Sequence, residues 1–373
     1  MITKYLMTTA AAAFALSVWG AGANAASKWD GGDDLPTSPL ECGTGAAAAT
    51  APVKYDGGQP TNPPNNAGKE ITIVDVPKLI GIGYFNATSK GIQDAAKELG
   101  NVKAKTDGPT EAKIDEQIKF IDNYITSGVD GILFAANDPV AIAPVLKKAL
   151  SKGIHVVGYD ANSTPDAREW FVNQAQFNGI GKAMIDSMAK ESGEDASFAI
   201  VTSTFTTPNQ ARWIAEMQAY AAKCHPKLQW LETVEAQEDN NLSFNQATTL
   251  INKYGDKLKG LFGMTSVATP ASAEAVSKAG LCGKVAIVGL ATPNAMKPYV
   301  HNDCVKSVVL WNPIDLGYAA TYVLRAAVDG KLKPGDASVE GGKLGKLNVI
   351  NGSEVLLGPP FIFTKDNIDK FDF

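Results

Sequence analysis

The sequence predicts an α/β protein made of two similar doubly wound parallel-sheet lobes. Three observations lead there. A β-branched apolar run, Ile71 to Val76, reads as a buried strand and is followed at once by a helical pattern. The same strand–helix alternation then repeats down the chain, which is the signature of βαβ units and a parallel sheet. It repeats too often for one twisted open sheet, so it divides into two series in tandem.

In order, ITIVDV (71–76) precedes a helix near 88–99, and VKAKT (102–106) is a short strand. A helix from about Glu111 to Thr126 follows, with Ile114, Ile118, Ile121 and Ile125 on one face and Gly128 as its stop. Strand VDGILFAA (129–136), a helix over 139–151 ended by Gly153, and strand IHVVGY (154–159) complete the first series. The second begins with strand WFVNQ (170–174) and a helix near 179–191. Strands SFAIVTS, LQWLETVEA, LKGLFGM and KVAIVGL each precede a helix, at 209–224, 243–254, 268–279 and 293–300. Strand VKSVVLW (305–311), a helix near 315–329 and a tail rich in Gly, Lys and Val close the chain.

The 373 residues carry a net charge of −5 with 45% hydrophobic and 20% charged residues, enough for two real cores. No basic stretch stands out, which argues against nucleic acid as a partner. Residues 1–25 read as an export signal: Lys4 is the positive end, TTAAAAFALSV the apolar region, and Ala23-Asn24-Ala25 the small-x-small cleavage site. The run is too short to span a bilayer. Residues 26–70, rich in Gly, Pro and Asn, have little to bury and read as a flexible leader. The four cysteines, Cys42, Cys224, Cys282 and Cys304, favour disulfides in an oxidising compartment and allow three pairings.

No catalytic motif is present. Gly81-x-Gly83-x-x-Asn86 lacks the third glycine of a dinucleotide loop, and GGKLGK (341–346) lacks Walker spacing. The histidines have no metal-ligand spacing, so neither a cofactor nor a metal is expected. What recurs is a polar or aromatic residue where each strand ends. Lys78, Tyr84 and Phe85 follow the first strand; Asn137 and Asp138, then Asp160 and Asn162, follow later ones. Asn209 with Gln210, Thr265 with Ser266, and Trp311 with Asn312 do the same in the second series. In doubly wound sheets such ends converge on one ligand crevice. Each residue alone also reads as a loop residue or a helix cap.

With these residues in hand, the chain resembles the periplasmic sugar-binding proteins of ABC importers, of the ribose-binding type. Within them it looks nearest the autoinducer-2-binding and rhamnose-binding proteins. The resemblance rests on VPKLIGIGYF (76–85), DGPTE (107–111), ATPNAMKPYV (291–300) and FTKDNIDKFDF (363–373). It implies a type I periplasmic binding protein: two lobes joined by three crossovers near Asn173–Gln176, just after Asn312 and near 335–350. The N-terminal lobe would then hold 71–173 and 313–335, and the C-terminal lobe 174–312 and 336–373.

In that family a lysine of the PKL motif and an aspartate ending the third βα unit hold the ligand; Lys78 and Asp160 stand there. An Asp-Gln pair is Asn209-Gln210 here, a Pro-Asp-Ala motif is Met264-Thr265-Ser266, and a Trp-Asp pair is Trp311-Asn312. Tyr84 and Phe85 fall near two aromatics that sandwich the sugar. Acids replaced by amides and a hydroxyl favour a neutral sugar, deoxysugar or polyol, because amides serve hydroxyls as donor and acceptor. The expected ligand set is thus Lys78, Tyr84, Phe85, Asp138, Asp160, Asn209, Gln210, Met264, Thr265, Ser266, Trp311 and Asn312. The family's sheet order also implies that Cys282 and Cys304 sit at one edge and pair; Cys42 with Cys224 is the rival or companion bond. The implied role is capture of a small carbohydrate for a membrane permease and ATPase, by a periplasmic monomer and without catalysis. Binding of an autoinducer-2-like signal, or docking on a membrane sensor, is the alternative.

Overall fold

The computed structural model of the protein describes Trp29, residues 35–43 and residues 54–373. The expected export signal lies outside these residues.

The first series runs β1 (Ile71–Val76), α1 (Gly83–Leu99), β2 (Val102–Thr106), α2 (Ile114–Ser127), β3 (Gly131–Phe134), α3 (Ala143–Ser151), β4 (His155–Tyr159) and β5 (Trp170–Asn173). The second runs α4 (Phe177–Ser192), β6 (Ser197–Thr202), α5 (Pro208–Cys224), β7 (Gln229–Glu235), α6 (Asn240–Tyr254), β8 (Gly260–Gly263), α7 (Ala268–Lys278), β9 (Ala286–Gly289), α8 (Pro293–His301) and β10 (Ser307–Leu310). Then come α9 (Pro313–Val328), β11 (Ser338–Glu340), β12 (Lys346–Ile350), β13 (Glu354–Leu356) and β14 (Phe361–Thr364).

Side-chain alternation explains the layers. Along β1, Ile71 and Ile73 join one buried cluster with Ile92 of α1 and Leu316 of α9. Val74 and Val76 join another with Ile121 of α2 and Leu146 of α3. Period-two alternation of apolar residues on both faces requires cover on both, and the helices supply it. The first sheet has the order β11-β12-β13-β5-β4-β3-β1-β2, parallel from β13 to β2. The second has the order β7-β6-β8-β9, all parallel, and β10 continues it through one bridge between Leu290 and Val309. This two-lobe α/β architecture is the predicted fold class.

The chain passes between the sheets at 174–176 and again through Trp311 and Asn312 into α9, which packs on α1, β4 and β5. The α1–α9 contact depends on missing side chains. A Cβ on Gly91 would stand 1.8 Å from the Ile314 carbonyl oxygen, and one on Gly317 would stand 2.0 Å from that of Thr88.

Two expectations need correction. Residues 336–356 do not join the second sheet. Strands β11 to β13 extend the first, where Val355 is fully buried in parallel register with Val172 of β5. Only β14 returns, antiparallel to β10. The third crossing is therefore the stretch between Leu356 and Phe361, where Gly358-Pro359-Pro360 cannot continue a ladder.

The leader residues that are described are bonded, not free. Tyr55 donates its hydroxyl to the Glu169 carbonyl at 2.9 Å and packs edge-on to Trp170. Gly58 N–H reaches the Arg168 carbonyl at 2.8 Å, and a Cβ there would meet the Asp166 carbonyl at 2.5 Å. Further back, Ser38 N–H donates to the Glu216 carboxylate at 3.1 Å, and Trp29 is buried edge-on against Phe198. Backbone donors, tight glycine contacts and two isolated aromatic rings carry this anchoring, so a hydropathy pattern does not display it. Cys42 pairs with Cys224, and Cys282 with Cys304 across the β9–β10 edge, with Cα atoms 4.5 Å apart in the latter.

Candidate ligand-binding cleft

The carboxyl ends of the parallel strands in both lobes meet at a narrow cavity of about 30 Å³, well below the size of an open small-molecule site. From the first lobe it is lined by Lys78, Ile82, Tyr84, Phe85 and Asp160. The second supplies Asn209, Gln210, Trp213, Glu238, Met264, Thr265, Ser266 and Leu290, and the second crossing adds Leu310 and Trp311.

Asp160 directly follows β4 with φ at +59°, in the left-handed region that Asp tolerates better than most residues. That turn sends its carboxylate, 3% exposed, into the cleft. Oδ2 pairs with the Lys78 ammonium at 3.2 Å. Oδ1 accepts from the Tyr84 hydroxyl at 3.0 Å and from Asn209 Nδ2 at 3.2 Å. Lys78 also donates to Asn209 Oδ1 at 3.3 Å, so one amide of the second lobe bonds both charges of the first. Trp311 Nε1 donates to the Tyr84 hydroxyl at 2.9 Å. Burial, and then the Asp160 charge, hold the Tyr84 phenol well above its ordinary range, so it stays a proton donor.

The Lys78 loop is fixed from below. Gln117 donates Nε2 to the Pro77 and Ala135 carbonyls at 3.1 and 2.7 Å. Asn137 donates Nδ2 to the Lys78 carbonyl at 2.9 Å. Tyr84 and Phe85 lie in the first turn of α1, which starts at Gly83, earlier than the helix expected from about Thr88. Their rings meet edge to face at 5.1 Å, and Tyr84 meets Trp311 the same way at 6.1 Å. The apolar faces of such rings suit the C–H faces of a sugar.

On the opposite wall, Pro208 opens α5 at a position where a missing N–H costs nothing, which sets Asn209 and Gln210 in its first turn. Gln210 Oε1 accepts from Thr202 Oγ1 at 2.6 Å and Ser203 N–H at 2.8 Å. Its Nε2 donates to Glu238 Oε1 at 3.2 Å. Burial raises the Glu238 carboxyl above the usual range, and the Lys78 charge opposes that. The Thr265 hydroxyl accepts from the N–H groups of Val267 and Ala268 at the start of α7.

The structure does not bring Asp138 or Asn312 to the cavity. Asp138 Oδ1 accepts from Val140 and Ala141 N–H at 2.9 and 2.8 Å. Asn312 caps α9 through Ile314 N–H at 3.0 Å. Asn312 is thus a helix cap and Asp138 closes the turn ahead of α3, the other readings of a short polar side chain at a strand end. Ile82, Trp213, Glu238, Leu290 and Leu310 line the cleft and were not foreseen. Trp213 lies three residues after Gln210 and so shares its helix face. Glu238 lies just past a strand, where the other cleft residues were found. Among the described residues no cluster of His, Cys, Asp and Glu could hold a metal.

Residues 73–332 match the family described as periplasmic binding protein domain. The D-allose-binding periplasmic protein of Escherichia coli (strain K12) is 27% identical over 277 residues, 71% of this chain and 87% of that protein. The crystal structure of a sugar ABC transporter from Actinomyces odontolyticus is 30% identical and covers 84% of this chain and 100% of its own, with a TM-score of 0.67. An ABC transporter solute binding protein from Clostridium phytofermentas with bound L-rhamnose is 29% identical, covers 81% and 98%, and has a TM-score of 0.75. The two-lobe fold, the convergence of strand ends on one cleft and these likenesses lead to one conclusion: the chain belongs to the periplasmic binding protein domain family, with the type I fold.

Proposed function

We propose that this protein is the periplasmic solute-binding component of an ABC transporter, and that it captures a small neutral carbohydrate and delivers it to a membrane permease and its ATPase. The observation that carries this reading is the Lys78–Asp160–Asn209 set, bonded across the two lobes beside the rings of Tyr84, Phe85 and Trp311. The charged pair is internally neutral and its remaining partners are an amide and a phenol, which suits hydroxyls rather than a charged solute. Lobe closure brings Asn209 to the first-lobe charges; opening separates them and admits the sugar. The protein acts as a monomer that binds and releases its ligand unchanged.

A thermal-shift screen of D-allose, D-ribose, D-fructose, D-arabinose and L-rhamnose tests this. A ligand at a hundredfold excess over its Kd stabilises by about 2.7 kcal/mol. The expected result is a clear shift with at least one sugar, recovered chemically intact. No shift with any sugar, or a shift with autoinducer-2 alone, overturns the reading.

A further inference from the structure

The second-lobe wall holds a donor without an acceptor. Trp213 is 2% exposed, lines the cleft and lies with its ring centroid 5.6 Å from that of Trp311. Its indole Nε1 is buried and has no hydrogen-bond partner among the described residues. Buried N–H groups without partners are rare in folded proteins and call for a specific explanation. Ring stacking alone would be served as well by Phe.

A second feature of the same wall points the same way. Gln210, on the Trp213 face of α5, donates to Glu238, whose carboxylate makes no ion pair among the described residues. The Lys78–Asp160 pair is neutral in sum, so Glu238 is the excess negative charge of the cleft. Glu238 stands on two consecutive non-glycine residues in the left-handed region, Gln237 at φ +52° and Glu238 at φ +56°. Such conformations are unfavourable and concentrate where a side chain must be aimed at a ligand.

We infer that Trp213 and Glu238 form a second recognition point of the cleft, which takes hydroxyls on the sugar face turned toward the second lobe. Trp213 Nε1 donates to one hydroxyl oxygen, and the Glu238 carboxylate accepts the proton of another. The ligand class follows. It is an uncharged sugar or polyol carrying hydroxyls on that face, and acidic sugars are rejected by the Glu238 charge. This rests on the carbohydrate reading above and adds which residues set its selectivity.

Calorimetry on the full chain tests it with D-allose, D-ribose and L-rhamnose, the mono-deoxy analogues of whichever binds tightest, and D-glucuronate. Trp213→Phe keeps the ring and removes the N–H; Glu238→Gln keeps the shape and removes the charge. The expected loss for the best sugar is about fivefold for Trp213→Phe and about tenfold or more for Glu238→Gln. For one mono-deoxy analogue the loss disappears, because the hydroxyl it depends on is already gone. D-glucuronate gains affinity in Glu238→Gln relative to the unaltered protein. The deoxy series on the unaltered protein reads the same hydroxyls without any substitution, so a poorly folding Trp213 variant does not decide the matter. Losses equal across all analogues, or affinities within twofold of the original, overturn the inference while the carbohydrate reading stands. Failure of every sugar to bind the unaltered protein overturns both.

Discussion

The two walls of the cleft are built on opposite plans. On the first-lobe wall the polar side chains bond one another: Asp160 takes Lys78, Tyr84 and Asn209, and Tyr84 takes Trp311. On the second-lobe wall, among the described residues, Trp213 Nε1 has no partner and Glu238 is held by neutral groups, the Gln210 amide first among them, with no ion pair. A wall whose groups are already satisfied is preorganised and costs little to keep in place when ligand arrives. A wall with groups left over gains most from the ligand. On the proposed reading, position and identity of the sugar are divided between the lobes.

The largest expected effect comes from breaking the first wall. Asp160→Ala leaves the buried Lys78 ammonium without its countercharge, and breaking a buried pair costs about 3–5 kcal/mol. The melting temperature should fall steeply and sugar binding should vanish. Asp160→Asn, which keeps an acceptor for Tyr84, should lose binding with a smaller drop in melting. A melting temperature unchanged in Asp160→Ala would erase the contrast between the walls.

The support beneath that wall should show in the pH dependence. Asp75 in β1 is fully buried and accepts from the Tyr159 hydroxyl at 2.9 Å, one residue before Asp160. Burial pushes its carboxyl up to about 7, against the hydrogen bonds from Tyr159 and Thr106. The folded state therefore holds a proton between about pH 4 and 7 that the unfolded state has released. Its contribution to stability declines as pH rises through that window and is flat above it. Asp75→Asn should reduce the slope and exceed the original protein in stability at pH 8, as denaturant titrations at several pH values would show. An unchanged slope would place the titration elsewhere.

Smaller effects sharpen the comparison. Trp311→Phe keeps the ring and removes the donor to Tyr84; a neutral hydrogen bond is worth about 1 kcal/mol, so calorimetry should read roughly a fivefold loss of sugar affinity. Asn312→Ala removes a helix cap and Asp138→Ala the bonds that close the turn ahead of α3; each should cost about 1 kcal/mol of stability, with sugar affinity within twofold. A tenfold loss of affinity in either would return that residue to the cleft.

Those last two residues show how far the sequence could be read. Strand ends on a doubly wound sheet do converge, so Lys78, Tyr84, Asp160, Asn209 and Trp311 could be found from position alone. Position does not tell a side chain that turns into the cleft from one that turns back to bond the next helix. Asp160 turns in because its backbone is left-handed; Asn312 turns back because Pro313 starts α9 beside it. Trp213 was hidden in the middle of a helix beside core residues such as Ile214 and Met217, and Glu238 behind a left-handed turn that no glycine marks. Strands β11 to β13 escaped assignment for a different reason. They are three to five residues long and only half buried for the most part, so they carry too little alternation to show which sheet they join.

The anchored leader has a mechanical consequence. The Cys42–Cys224 bond fastens the chain to the end of α5 in the second lobe, while Tyr55 and Gly58 fasten it to the first. Tension applied ahead of Cys42 therefore enters the fold through a covalent bond at the surface end of α5, and not through β1, the strand from which the Lys78 loop hangs.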